Sequence, residues 1–401
     1  MTHASDSSVS RLDHLDALRG FALFGILLVN IGVFASTYYG HGVPDPQFEW
    51  PVDHVTTFIV GWLFETKFYL LFSFLFGYSF ALQLDSAARA GAAAVPRLLR
   101  RFVVLMLLGL AHAFLFYQGD ILLAYGLLGL VLLACRDIAP ARALRVSLWL
   151  ILVASLLWLL LATLTLTDPL AMQPPAIDYD GPRAALEAYR GTIASTVAQH
   201  AHELVETVWF MVMLVQGPYV LAMFLAGLAM GRRGALTTLD LPRRPLLILV
   251  ALALPAGLAG AAVYAWSGAP QTPETIALFG LAAGLFTAPL LSLSYAVSFL
   301  LAWRTTPGRR ILGWLAPVGR MALTNYLMQS VLCALIFTAW GLRLVGSVSP
   351  LQTVLIASAI FALQLPVSAW WMRRHAYGPV EWLLRAATYA RRPAWRRVRE
   401  G

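Results

Sequence analysis

Charge is scarce in this 401-residue chain: Asp, Glu, Lys and Arg together make up 12% of it, and lysine occurs once, as Lys67. Such a composition, with 59% hydrophobic residues, excludes an ordinary soluble globular domain, which has no use for so much apolar surface. Cysteine is nearly absent too. Cys135 and Cys333 fall in different apolar runs without the neighbours of a metal site, so a disulfide framework and a Cys-based metal centre are both excluded, and the two read as small packing residues. No nucleophile elbow, P-loop, dinucleotide glycine pattern or HExxH is present. Internal repeats and low-complexity tracts are also missing.

What is there is a succession of apolar runs. Stretches long enough to cross a bilayer, about 20 residues each, lie at 15 to 36, 56 to 83, 100 to 117, 119 to 135, 146 to 167, 207 to 231, 245 to 266, 275 to 303, 318 to 340 and 351 to 372. The expected fold is therefore all-α: a polytopic membrane protein of about ten transmembrane helices. Residues 1 to 14 are polar and the first run is too long for the apolar segment of a signal peptide, so it is expected to stay as the first span.

Arginine sets the expected orientation, because cytoplasmic loops retain positive charge. With the N-terminus inside, the inner segments hold Arg11, the Arg89 to Arg101 group, Arg136, Arg142 and Arg145, the groups at 232 to 244 and 304 to 310, and the many arginines after Arg373. The outer segments hold only Arg183, Arg190 and Arg343. Alternation of this kind requires an even number of spans, so both termini are expected in the cytoplasm. The net charge of +9 then reflects topology and attraction to anionic lipid, with no nucleic acid partner implied. Residues 1–372 form one transmembrane domain in this reading, with an extracytoplasmic segment at 168–206 that becomes an amphipathic helix from Pro182. Residues 373–401 form a basic cytoplasmic or interfacial tail, in which Trp382, Leu383, Leu384 and Trp395 would rest at the membrane surface. Gln118-Gly119 is so short a connection that its flanking helices form a tight hairpin, while the spacings Gly227/Gly231 and Gly280/Gly284 suit close helix packing.

Ionisable side chains within the membrane are the functional signal, since each is costly unless paired or set against a wet cavity. An outer group comprises Glu65 and Lys67 on the second helix, His112 on the third and Asp120 at the start of the fourth, with His41 and His54 near the entrance. Glu65 falls roughly 16 Å deep, near the midplane. There a lone lysine beside it would titrate or pair, or both would satisfy polar groups of other helices. His112, a turn or so below Asp120, reads as a general base or relay, or as a hydrogen-bonded core histidine. An inner group comprises Asp16 and Arg19 on the first helix with Arg320, Thr324 and Asn325 in the first turns of the ninth. Free N–H groups at those helix starts, with two arginines, would suit a phosphate-bearing ligand. The plainer reading is ion pairing, with Asp16 or Glu381 as partners, and snorkelling into headgroups. The stretch His200-Ala201-His202-Glu203 with Glu206 sets His202 and Glu206 on one helical face, but supplies no complete ligand set, and no metal is expected.

These same residues carry a family resemblance. The stretch from Arg11 through Asp16, Arg19 and Gly20 to Ile26, with Asn30 following, resembles the N-terminal signature of the YeiB-like bacterial inner-membrane family, domain of unknown function 418. Lys67-Phe68-Tyr69 with Leu71 to Gly77, Gly119-Asp120-Ile121-Leu122, Gly319 to Tyr326, and Gly378 to Leu383 with Thr388-Tyr389 are similar to its other blocks. The N-terminal pattern is also similar to transmembrane acyltransferases such as heparan-α-glucosaminide N-acetyltransferase. That resemblance implies a cytosolic acyl-CoA donor, an acceptor on the far side and a catalytic histidine after the first outer loop, for which His41 with Trp50 is the nearest match and His54 the second. The donor would anchor its phosphates at Arg19 and Arg320 and meet an envelope glycan, lipid or small molecule at the outer group, where His41, His54 or His112 acts as base and Asp120 or Glu65 orients it. The rival expectations are a proton-coupled transporter using Glu65, Lys67, His112 and Asp120, and a scaffold without turnover. A common pocket for Arg19 and Arg320 would favour the donor site over transport.

Overall fold

A computed structural model describes residues 12–39, 43–237 and 241–396. It is all-α, with no strand among the described residues. Eight helical stretches are long and apolar enough to span a bilayer, and a ninth is a pair bent by 81°. The first is α1, Asp13–Ala35; the second joins α2, Pro51–Leu63, to α3, Lys67–Arg89; the third is α4, Ala94–Leu115. After α5, Leu122–Ala134, come α6, Pro140–Leu164, then the short α7, Asp180–Arg190, and α8, Ile193–Glu203. Two π-helical turns, Leu204–Val208 and Met211–Gln216, lead into α9, Gly217–Arg232. The remainder is α10, Arg243–Ser267; α11, Glu274–Trp303; the short α12, Thr306–Leu312, and α13, Ala316–Arg320; α14, Ala322–Phe337; α15, Pro350–Arg374; and α16, Pro379–Tyr389.

The expected count of ten needs adjusting at α5. At 13 residues it reaches about 20 Å, short of a 30 Å hydrocarbon core, because it begins only after the Gln118–Ile121 turn. The outer faces of the longer helices are apolar, as lipid contact demands: Leu148, Leu156, Leu157 and Leu160 of α6 and Ile248 and Leu252 of α10 are all exposed. Between α3 and α9 the backbones touch. A Cβ on Gly227 would lie 2.1 Å from the Phe74 carbonyl oxygen, which is why no larger residue fits there. Cβ atoms on Gly280 and Gly284 would likewise lie 1.6 Å from Ser267 Oγ and 2.6 Å from Tyr264 Cβ of α10.

Two expected single helices are broken, and both breaks shape the site. The second run kinks at Thr66, whose φ of 69° lies in the left-handed region. Backbone groups freed at mid-membrane need partners, and side chains supply them: Lys67 Nζ donates to the Gly61 carbonyl at 2.8 Å and the Tyr295 hydroxyl to that of Leu63 at 3.0 Å. The ninth run turns sharply at Met321, between α13 and α14. Its exposed N–H groups are taken by Glu381 of α16, whose Oε1 accepts from Leu323 at 2.6 Å and Thr324 at 3.0 Å. Division of the chain at 372 thus separates parts that pack together. Leu384 is buried against the bundle rather than laid in the interface, and Trp371, His375, Trp382 and Trp395 stack as one cluster. The segment at 168–206 forms two helices, divided at Gly191 and restarted by a Thr192–Ser195 capping box.

Candidate functional site

A cavity of about 820 Å³ runs through the middle of the bundle. Along α1 its wall extends from Arg19 to Val33 and along α3 from Tyr69 to Gln83, about 21 Å in each case at 1.5 Å per residue. The middle is apolar, lined by Leu23, Ile26, Phe72, Phe76, Leu105 and Leu122. Charged groups are confined to the ends and to one point between.

Four guanidiniums gather at one end: Arg19, Arg101, Arg320 and Arg385. Backbone contact between α1 and α13 sets the first and third. Cβ atoms on Gly20 and Gly319 would lie 2.4 Å from the Leu315 carbonyl oxygen and 1.7 Å from that of Asp16, so only glycines allow this approach. Asp16 is thereby placed between the two arginines: Arg19 donates to its Oδ1 at 2.5 Å and Arg320 to its Oδ2 at 3.4 Å. Arg19 also donates to Ser79 Oγ at 2.7 Å, and Arg320 pairs with Asp13. The expected common pocket for Arg19 and Arg320 is present, and so is the ion pairing offered as its alternative.

Thr324 and Asn325 are not on the cavity wall, contrary to their assignment as ligand-binding residues. The Thr324 hydroxyl donates to Glu381 Oε2 at 2.5 Å, and Asn325 donates to the Val318 carbonyl and to Ser368 Oγ, both at 3.0 Å. The α14 N–H groups expected to meet a phosphate are held by Glu381. Removal from water raises that carboxyl above its usual range, while the hydrogen bonds it accepts from Thr324 and Leu323 pull it back.

Glu65 lies in the break between α2 and α3. Neighbouring Phe68 packs its ring on Gly25, halfway along α1, so Glu65 falls near the middle of the cavity wall. Its carboxylate lines the cavity and accepts from the Tyr264 hydroxyl at 2.8 Å. Lys67, expected to titrate or pair beside it, forms no ion pair with Glu65. It is 1% exposed, bound to the Gly61 carbonyl and seated 5.5 Å from the Tyr264 ring centre, and it holds the break together from outside the cavity. Further along, Glu203 joins the wall with Gln118, from which it accepts at 2.7 Å.

His112 and Asp120 meet as the sequence suggests, both 3% exposed, with Nδ1 and Oδ1 2.8 Å apart. Asp120 Oδ2 accepts the Leu123 N–H at the start of α5. A carboxylate on Nδ1 fixes the proton there and leaves Nε2 as the lone pair; this atom is buried with no partner among the described residues. The pair stands one layer behind the wall, its ring 5.3 Å from Tyr326 and 6.2 Å from Tyr117, which do line the cavity. His54 is exposed on α2 and away from the cavity, and His41 lies outside the described residues. His200 is buried, its Nδ1 3.1 Å from the Phe114 carbonyl oxygen, and burial pushes its imidazole down to about 4.

Sequence reasoning missed Arg101 and Arg385. Both were counted as topological charge, and only the fold of α16 onto α4 and α14 turns them toward the cavity. Glu203 stands out in the sequence only within a stretch that lacks a complete ligand set; the π-helical turns after it bring Thr207 and Gln216 to the wall beside it.

Apolar outer helix faces around a long central cavity, charged at the ends and apolar between, define a polytopic α-helical membrane protein with an internal cavity. The chain belongs to the DUF418, YeiB-like family. A family model described as "Protein of unknown function (DUF418)" matches residues 230–391. "Uncharacterized protein YxaH" of Bacillus subtilis (strain 168) is 34% identical, with 94% of each chain covered. "Uncharacterized 39.9 kDa protein in amylase 3'region" of Bacillus acidopullulyticus is 31% identical, with 95% of each covered. "Uncharacterized protein YeiB" of Escherichia coli (strain K12) is 29% identical, covering 93% of this chain and 95% of its own. No solved structure matches the chain.

Proposed function

We propose that this protein transfers an acyl group across the bacterial inner membrane, from a cytosolic acyl-CoA to an acceptor reaching the chamber from the opposite side. The observation that carries the reading is that one cavity holds Arg19 and Arg320 at one end and Glu65 about mid-depth, with an apolar passage between. By the distribution of arginine between loops, the guanidinium end is cytoplasmic. Phosphates of the donor bind at that end, and its acyl-bearing arm runs between Phe72, Phe76 and Leu105 toward Glu65. The volume falls within the range of small-molecule and cofactor sites.

Among the described residues, Glu65 is the ionisable group of the outer set that lines the wall, so it takes the base role first considered for the histidines. An acceptor hydroxyl or amine gives its proton to the Glu65 carboxylate as it attacks the thioester carbonyl; the C–S bond breaks, and Glu65 passes that proton to the departing thiolate and is regenerated as the carboxylate. Tyr264 positions the carboxylate. The His112–Asp120 pair stays occluded behind Tyr117 and Tyr326 and takes part only when these rings turn aside. The test is release of free CoA thiol from acyl-CoA supplied on the arginine side of proteoliposomes. Turnover that requires the protein and is lost in Glu65→Gln supports the reading; the same rate in empty liposomes or in the variant refutes it.

One observation favours a second reading, export of an anionic amphiphile: no histidine among the described residues lines the cavity. In that case labelled ligand would cross the liposome membrane unaltered, with no thiol released.

A further inference from the structure

The four guanidiniums at the end of the cavity are not equivalent. Arg19 and Arg320 are neutralised from behind by Asp16 and Asp13, and Arg19 is also held by Ser79. Arg101, on the wall from α4, makes no hydrogen bond or ion pair among the described residues; Tyr389, Arg19, Glu381 and Arg385 lie within electrostatic reach of it without bonding to it. Arg385 stands at the exposed mouth with its guanidinium 4.8 Å from the ring centres of both Tyr377 and Tyr389. Stacking occupies the faces of a guanidinium and leaves its N–H edge available, the edge that matches phosphate oxygens two at a time. The carboxylate on this part of the wall, Glu381, is turned to the α14 N–H groups and Thr324. Four positive groups therefore stand against at most three negative ones, and the excess resides on the two arginines without carboxylate partners.

We infer that Arg101 and Arg385 are the ligand-contacting cations of a phosphate subsite, which takes the phosphate of an amphiphile whose apolar chain continues into the cavity between Phe72, Phe76 and Leu105. Arg19 and Arg320, paired with their aspartates, form the frame of the subsite. The inference rests on the reading of the cavity as a donor chamber, but the phosphate chemistry it names is shared by a cytosolic acyl-CoA and by a membrane lipid phosphate, and the experiment separates these sources.

Octanoyl-CoA, octyl phosphate and octanol would be titrated calorimetrically into the full chain in phosphatidylcholine nanodiscs, with empty nanodiscs subtracted. The wild type would be compared with Arg101→Gln, Arg385→Gln and the charge-retaining Arg101→Lys and Arg385→Lys. Loss of a charge-assisted, bidentate contact should weaken binding at least tenfold in each Gln variant and less in each Lys variant, with octanol unaffected. Because the Lys variants keep the charge, they report on binding even if a Gln variant fails to fold. Binding of octyl phosphate but not octanoyl-CoA, with the same arginine dependence, would uphold the subsite and assign it to lipid phosphate, refuting the CoA donor. Octanoyl-CoA binding that is indifferent to both arginines would overturn the subsite and leave the donor reading intact. Failure of both ligands to bind folded protein would overturn the two together.

Discussion

Truncating Glu381 removes the carboxylate that ties α16 to the broken end of α14 and leaves, among the described residues, only the Val380 N–H donating to the Thr324 hydroxyl as a hydrogen bond between them. Its two oxygens accept from the Leu323 and Thr324 N–H groups and from the Thr324 hydroxyl, at 2.6, 3.0 and 2.5 Å. Thr324 is buried, so in Glu381→Ala these donors face each other across a space that water enters poorly. At about 1–3 kcal/mol for each buried donor left unmade, and allowing for relaxation of the turn, the loss is roughly 3–6 kcal/mol. Glu381→Gln keeps one acceptor oxygen for the two N–H groups and loses the charge opposite the helix start, so it should cost only about 1–2 kcal/mol. Cys333 supplies a convenient reporter: it is 1% exposed, and a thiol-reactive fluorophore labels it only on unfolding. In a Cys135→Ser background, the midpoint of thermal labelling in detergent should fall on the order of 10 °C in the Ala variant, at roughly 2 °C per kcal/mol for a large chain, and far less in the Gln variant. Equal midpoints for Ala and wild type would refute the assignment of Glu381 as the cap of α14.

Three further outcomes follow from the same packing. Gly319→Ala should separate α13 from α1, because its methyl would fall on the Asp16 carbonyl; a cost of about 1–3 kcal/mol and weaker phosphate binding are expected together, and calorimetry alongside thermal labelling checks both. Burial lowers the His200 imidazole from its ordinary value of 6.5 to about 4. Protonation therefore favours the unfolded chain, so its contribution to stability is complete above pH 6.5 and is lost as the pH falls toward 4. A His200→Gln variant should show a shallower fall in midpoint over that window, and an unchanged slope would count against the buried neutral imidazole. Lys67→Ala should lower stability by roughly 3 kcal/mol, through a new void and an orphaned Gly61 carbonyl. Normal stability with abolished turnover in that variant would instead restore the titrating role once given to Lys67.

Hydropathy alone reads most of the helices, because lipid contact imposes long apolar runs that nothing else in a protein requires. It does not read the breaks. Thr66 has no adjacent glycine or proline to announce its break, and Pro317 and Gly319 ahead of Met321 hint at a break without saying what holds it; the groups that stabilise the two, Tyr295 and Glu381, come from helices distant in sequence. The site is legible to a similar degree. Arg19, Arg320, Glu65, His112 and Asp120 stand out as charges placed at membrane depth, and the structure brings Arg19 and Arg320 together, and His112 with Asp120. Thr324 and Asn325 look like ligand groups only while the α14 start is taken to be open. Arg101 is indistinguishable in sequence from Arg100 beside it, which donates to the Thr388 carbonyl; helical rotation alone decides which of the two reaches the cavity.

The central claim is that an acyl donor occupies the cavity with its charged end among the arginines and its chain between the aromatic walls. Photolabelling with an acyl-CoA whose chain carries a terminal diazirine, followed by peptide mapping, tests it most directly. Labelling should concentrate on the segments bearing Phe72, Phe76, Leu105 and Leu122 and be displaced by unlabelled acyl-CoA. Labelling confined to the lipid-facing side of α6, around Leu156, Leu157 and Leu160, and indifferent to competitor would contradict the account.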